Sequence, residues 1–274
     1  MTTTTTTDTF SLTLDNNELV FLGQSIKASA FWLVDTNADA KESSDDEQWL
    51  KQVQDNLAAK GYATTREEDG TFAVDPTIPA LVGALAFARS ALVVTVHNVH
   101  ENQVQSRLIH FAEGLIIEHE QAEDDTHLLT AIRDIPTLHA RLEELLPHTN
   151  GTSPFSGVQQ IDQESFEAAS YLIEKKNLDS ATQRLQQAGI PPDFAHAVVQ
   201  ALSEPEQRVM LQTVAFADHK IHRYDTLHVV VAGDILWFYQ FVREEDRAYI
   251  QIETASQERL NQQLQAYIRM ASSL

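Results

Sequence analysis

The sequence predicts an α+β protein made of two halves related by a pseudo-two-fold axis, each ordered ααα–βββ(β)–α around an antiparallel sheet. Three observations carry this reading. Asp15-Asn16-Asn17-Glu18-Leu19 opens a helical pattern continued by Leu22 and Ile26, and the stretch from Asp162 to Phe166 does the same with Ala169 and Ile173. Leu57-Ala58-Ala59-Lys60-Gly61-Tyr62 is echoed by Leu185-Gln186-Gln187-Ala188-Gly189-Ile190, and Ala80 to Leu85 by Ala197 to Leu202. The remaining β-prone runs of each half follow one another too closely for parallel crossovers, which need about a dozen residues or more, so they pair antiparallel. A repeat of this kind implies two like modules packed on each other.

Each element has its own warrant. Residues 1–14, opening with Thr2 to Thr7, read as a disordered tail. Asp15 is placed to cap a first helix whose Leu19, Leu22 and Ile26 share a face. Asp35 to Glu47 is dense in acidic and small residues and reads as a mobile loop. A second helix carries Trp49, Val53 and Leu57 and stops at Gly61. Asp69-Gly70 between two short β-prone stretches marks a hairpin that the second half lacks. Asp75-Pro76 starts a third helix with Ile78, Leu81, Val82 and Leu85 on its buried stripe; Phe194, Ala197, Val198 and Ala201 repeat the spacing.

Strands are expected near 91–99, 107–112 and 115–120, with partners near 208–217, 227–232 and 235–242. Gly114 and Gly233 fall at matching hairpin turns, and 128–132 and 248–252 read as fourth strands. Each half closes with a helix, one carrying Leu138, Leu142, Leu145 and Leu146, the other Leu260, Leu264, Tyr267 and Ile268. The resulting organisation is a first half over 15–146, a linker over 147–161 rich in Asn-Gly, Ser-Pro and Ser-Gly pairs, and a second half over 162–274, forming one two-half domain. One asymmetry stands out. Ile235-Leu236-Trp237-Phe238-Tyr239-Gln240-Phe241-Val242 is apolar on both faces, whereas its counterpart around Leu115 to Glu120 is partly wet. Such a strand is either covered on both sides or presents aromatics to a partner.

Composition narrows the function classes. Among 274 residues, 19 Lys and Arg stand against 40 Asp and Glu, a formal net charge of −21. A phosphate backbone or an anionic bilayer is repelled by most of such a surface. There is no cysteine, which removes disulfides, thiolate metal sites and cysteine nucleophiles. No apolar run reaches the roughly 20 residues a bilayer span requires, and the N-terminal residues do not read as a Sec-type signal, so a cytoplasmic location is expected.

Histidine is the suggestive chemical side chain. His97 and His100 fall at the end of one first strand, His219 and His222 at the end of its repeat, with His110, His119, His127 and His228 on or near neighbouring strands. Imidazole pairs can bind zinc or copper, but on an extended strand a three-residue spacing points the rings to opposite faces. No HExxH, GxSxG, GxxxxGK[ST] or GxGxxG is present, and no cofactor is expected.

The stretch Leu12 to Leu19, the helix end Leu57 to Tyr62, the Asp69-Gly70 hairpin, the helix from Asp75 to Leu85 and the strand Leu92-Val93-Val94-Thr95-Val96 together resemble the EspG family, the cytosolic chaperones of type VII (ESX) secretion. The resemblance covers nearly the whole chain. It implies a quasi-symmetric sheet flanked by helices, and a non-enzymatic role in binding the helical tip of PE–PPE secretion substrates; the client here could equally be a WXG-type hairpin. No binding residue is carried over from the family. Apolarity and position instead select Val99, Glu101 and Asn102 at a hairpin turn, and Trp237 and Tyr239 on the aromatic strand, as partner-binding residues. Two other classes stay open at this level: an acidic immunity-type protein that neutralises a basic partner, and a metal-dependent enzyme using the paired histidines.

Overall fold

The computed structural model describes residues 10–28, 31, 34, 47–66, 70–122, 125–151, 155–217, 220–244 and 247–274. The first half runs β1 (Ser11–Leu14), α1 (Asn16–Ser25), α2 (Glu47–Ala59), β2 (Ala63–Thr65), β3 (Phe72–Val74), α3 (Thr77–Ala86), β4 (Ser90–Asn98), β5 (Gln103–Ala112), β6 (Leu115–Gln121), β7 (His127–Ile132) and α4 (Ile135–Glu143). The second runs β8 (Gln159–Asp162), α5 (Gln163–Glu174), α6 (Leu178–Gln187), α7 (Pro192–Ser203), β9 (Gln207–Ala217), β10 (Lys220–Ala232), β11 (Ile235–Glu244), β12 (Arg247–Ala255) and α8 (Gln257–Ser273). The class is the α+β predicted.

Among the described residues ten strands form one antiparallel sheet in the order β1-β7-β6-β5-β4-β9-β10-β11-β12-β8, with β2 and β3 as a separate hairpin. Read from either edge, the order repeats, and the halves meet where β4 pairs with β9. The β5–β6 and β10–β11 hairpins turn at Gly114 and Gly233, with φ of 75° and 57°. Both lie in the left-handed region where a side chain is disfavoured.

Two expectations need correction at their boundaries. Ser11–Leu14 is a strand rather than part of a disordered tail, paired with β7 through Leu12 opposite Leu129. The linker likewise ends early, because β8 begins at Gln159 and pairs with β12. These are counterparts, each an edge strand feeding the first helix of its half. Four residues are too few to register as a period, and such short edges limit sheet-to-sheet association. The acidic loop expected from residue 35 lies outside the described residues as far as 46, and α2 begins at Glu47. Asp69 also lies outside them, although the strands of its hairpin are formed.

Local chemistry explains the helix starts. Asp15 accepts from the Glu18 backbone N–H at 2.8 Å while Glu18 Oε2 accepts from the Asp15 N–H at 2.8 Å, a reciprocal capping box. Asp162 caps α5 at the matching place through the Ser165 N–H, also at 2.8 Å. Burial then sets the layers. On one face α4 and α8 cover Leu92, Val94, Ile109, Leu211, Val229, Leu236 and Phe238 with Leu138, Leu142, Leu260, Leu264 and Ile268. On the other face α1–α3 cover Leu12, Ile117 and Leu129. There α5–α7 cover Ile161, Val230, Trp237, Ile250 and Ile252.

Candidate partner-binding surface

The two three-helix layers sit over the flanks of the sheet and leave its middle half-exposed. Successive strand residues alternate faces, so the side chains opposite the α4–α8 layer can be read from the register. One row runs His119, Leu108, Val93, Gln212 and Thr226. The next runs Tyr239, His228, Met210, Thr95 and Ser106. Each row is the other's two-fold image. Val93, Thr95, Leu108, Met210, Gln212, Thr226 and His228 are each half-buried, and Ser106 is exposed. They form a trough with Val93, Leu108 and Met210 as apolar floor, between two side-chain hydrogen bonds: Thr95 Oγ1 with Ser106 Oγ at 3.1 Å, and Gln212 Nε2 donating to Thr226 Oγ1 at 3.0 Å.

The walls differ. In the second half Tyr239 stacks on His228 with ring centroids 4.8 Å apart and planes 7° apart. It also leans on Phe166 at 6.0 Å. Burial pushes the Tyr239 hydroxyl up and the His228 imidazole down from their ordinary ranges. Arg208, exposed on β9, tempers the rise at Tyr239 by its charge. In the first half the corresponding wall is polar beneath the surface. His110, His119 and His127 lie on three adjacent strands and are at most 3% exposed. His119 Nε2 and His127 Nδ1 are 2.9 Å apart, and His127 Nε2 meets Asn16 Oδ1 at 2.8 Å. Among the described residues, both His110 nitrogens and His119 Nδ1 have no hydrogen-bond partner. Burial, in His119 reinforced by its two histidine neighbours, lowers His110 and His119 to about 3. The rings are therefore neutral structural groups near neutral pH.

The sequence-selected residues separate. Val99 to Asn102 form the β4–β5 turn at one end of the trough. The Val99 N–H donates to the Glu206 carbonyl at 2.9 Å, and Asn98 Nδ2 to Glu101 Oε2 at 2.9 Å. Asn102 takes φ 51°, and Glu101 and Asn102 are exposed. Tyr239 stands in the trough wall, whereas Trp237 is 4% exposed, enclosed by Phe155 and Phe194. Of the two alternatives for the aromatic strand, burial within the monomer accounts for Trp237; Tyr239 is the ring that reaches the trough. His97 lines the trough end, His100 and His222 are exposed, and His219 lies outside the described residues. Among the described residues, no group of three or more His, Asp or Glu side chains is arranged to hold a metal ion. The trough residues Val93, Thr95, Leu108, Met210 and Gln212 were missed, because an apolar run such as Leu92-Val93-Val94-Thr95-Val96 does not say which of its faces is left uncovered. The wet Thr95 and Gln212 were the available signal.

Among the described residues no helix is long and apolar enough to cross a membrane. No protein-family model and no curated protein sequence matches the chain. Solved structures do. The type VII secretion system chaperone EspG5 of Mycobacterium tuberculosis, described in complex with the PE25–PPE41 dimer, superposes with a TM-score of 0.66 over 96% of this chain and 95% of its own, at 13% identity. The chain thus has the α+β fold of an EspG-type secretion chaperone, as the sequence resemblance implied.

Proposed function

We propose that this protein is a non-enzymatic, cytoplasmic chaperone-like protein that binds a helical secretion substrate in the central trough. The observation that carries the reading is the half-exposed apolar floor of Val93, Leu108 and Met210 between two helical layers. It lies on a fold shared with a chaperone whose partner is a PE–PPE dimer. An exported helical hairpin carries apolar side chains at its tip, and covering them with a sheet face removes that surface from water at about 25 cal/mol per Å². The polar rims of Thr95, Ser106, Gln212 and Thr226 supply hydrogen bonds that orient the tip without covalent chemistry. On this reading the client is a PE/PPE-like or WXG-type helical protein. The turn of Val99, Glu101 and Asn102 contacts it at the trough end, Tyr239 is an anchor in the wall, and buried Trp237 supports that wall from beneath.

The test is co-purification of the tagged full-length chain from its host, with the adhering protein identified by mass spectrometry. A small helical secreted protein is expected, and Val93→Glu or Met210→Glu is expected to abolish its recovery while the chaperone stays folded by circular dichroism. Recovery of no helical partner, or recovery indifferent to both substitutions, would overturn the proposal.

A further inference from the structure

The trough does not end at its floor. Beyond Gln212 the β9–β10 hairpin projects from the sheet with Lys220, Ile221, His222, Arg223 and Tyr224 all exposed, Ile221 at 52% and Tyr224 at 70%. A register shift lies between Ile221, which faces Phe216, and Arg223, which faces Ala215; Tyr224 then faces Val214. Phe216 and Val214 are two apart on β9 and share a face, so the irregularity brings Ile221 and Tyr224 onto one side although they are three apart. A bulge re-aims side chains in this way. The face they occupy is that of the trough, because Val214 and Gln212 share it. Two exposed apolar side chains therefore continue the trough floor outward.

Charge makes the hairpin distinct. On a chain with an excess of 21 acidic groups, Lys220 and Arg223 adjoin these apolar residues in the chain and, opposite Ala217 and Ala215, stand on the other side of the hairpin. Among the described residues neither cation has an ion-pair partner; the ion pairs formed by lysine and arginine use Lys60, Arg89, Arg107, Arg133, Arg141 and Arg259. The counterpart β4–β5 hairpin, from His97 to Val104, has an exposed Val104 but no Lys or Arg, and carries Glu101. The fold therefore does not require cations at this place.

The geometry points to the β9–β10 hairpin as a second contact arm for the trough's occupant, in which Ile221 and Tyr224 pack on apolar residues of the client on the trough side and Lys220 and Arg223 pair with carboxylates where the client passes over the hairpin to its other side. This rests on the reading of the trough as a client site and specifies the client: an apolar helical tip followed by an acidic stretch. A nucleic acid fits less well, since a chain of net charge −21 repels phosphate and, of the two apolar side chains, Tyr224 alone offers a stacking plane. Rim cations of this kind act through approach and register, so their effect depends on salt.

The experiment places a photo-crosslinking residue in the full-length chain in its host: Tyr224→p-benzoylphenylalanine on the hairpin, Thr95→p-benzoylphenylalanine in the trough, and Leu50→p-benzoylphenylalanine on α2 as control. The expected result is one polypeptide joined at Thr95 and Tyr224 but not at Leu50, with Asp or Glu in the peptide linked at Tyr224. Adding Lys220→Glu and Arg223→Glu is expected to reduce the Tyr224 adduct about tenfold, one power of ten for two rim charges. An adduct at Thr95 without one at Tyr224 overturns the hairpin arm and leaves the chaperone reading standing. An adduct at neither overturns both. A Tyr224 adduct with a second copy of this chain, or one unaffected by the charge reversals, also overturns the arm as stated.

Discussion

Val94 and Leu211 face each other across the junction of β4 and β9 and are also each other's counterparts in the two halves. The registers show why: Val94 pairs onward with Arg107 and Leu211 with Leu227, at matching places in the β4–β5 and β9–β10 hairpins. The pseudo-two-fold axis therefore passes between these two residues. Both have no exposed surface and lie in the core shared by α4 and α8. The halves have no separate interiors on this face, so the domain is expected to unfold as one unit.

Leu211→Ala should cost about 3 kcal/mol, within the usual range for a buried leucine. Combined with Val94→Ala the loss should depart from the sum by about 0.5 kcal/mol or more, because the two vacated volumes adjoin. Urea unfolding followed by tryptophan fluorescence measures both. A single transition is expected throughout, and separate transitions for the two halves would contradict the shared core.

The caps should behave oppositely. Asp15→Ala and Asp162→Ala each remove a side-chain acceptor from a helix N-terminus and should each cost about 1 kcal/mol. Because the sites lie at opposite edges of the sheet, the double variant should lose the sum within about 0.5 kcal/mol. Thermal melts of the three variants are sufficient to check this.

Glu118 is 2% exposed and takes Arg141 Nε at 2.8 Å, Arg141 Nη2 at 2.5 Å and Arg107 Nε at 3.3 Å. Arg107 also reaches Glu120. Removing the only partner of a buried charge costs about 3–5 kcal/mol. Arg107 remains after Arg141→Met, so a smaller loss of about 2 kcal/mol is expected. The corresponding place in the second half holds Phe238, which needs no partner. Arg141→Met should therefore destabilise the chain without affecting client capture at the trough.

The histidine row makes stability depend on acid. His110 and His119 have folded values lowered to about 3, against 6.5 for the ordinary side chain. Below pH 6.5 the unfolded chain takes up protons that the folded chain refuses, so stability falls as pH drops from 6.5 towards 3 and is level in these groups above 6.5. His127 is lowered in the same direction by burial, opposed by Asp125 and Asp15. Each fully buried imidazole costs about 1.4 kcal/mol per pH unit in that window. His110→Val, the residue of the matching position Val230, should be tolerated at pH 7.5. Its advantage over the parent chain should grow by about 1 kcal/mol between pH 6 and pH 5, measured by urea unfolding at each pH. A constant difference across that window would show that His110 is not held neutral.

Much of the fold was legible in the chain. The repeated helix patterns, the paired Asp15 and Asp162 starts and the glycines at 114 and 233 are local signals, and local geometry is what they control. The edge strands were not legible, because Leu12 and Leu14 or the lone Ile161 provide too short a pattern. Nor was the role of the aromatic strand: alternation cannot say which of Trp237 and Tyr239 meets a helix and which meets an opening. The histidine row was visible only as scattered residues, since His110, His119 and His127 become neighbours through antiparallel register.

By itself, then, the sequence determined an acidic, cysteine-free α+β chain with two like modules, because periodicity, capping and turn residues act over a few positions. The tertiary structure alone decided where the helical layers stop. Val93, Thr95, Met210 and Gln212 are half-exposed because α1–α3 and α5–α7 lie over the flanks of a sheet wide enough to leave its middle uncovered. That opening depends on how far apart two packed layers lie, a distance that no local stretch of residues encodes.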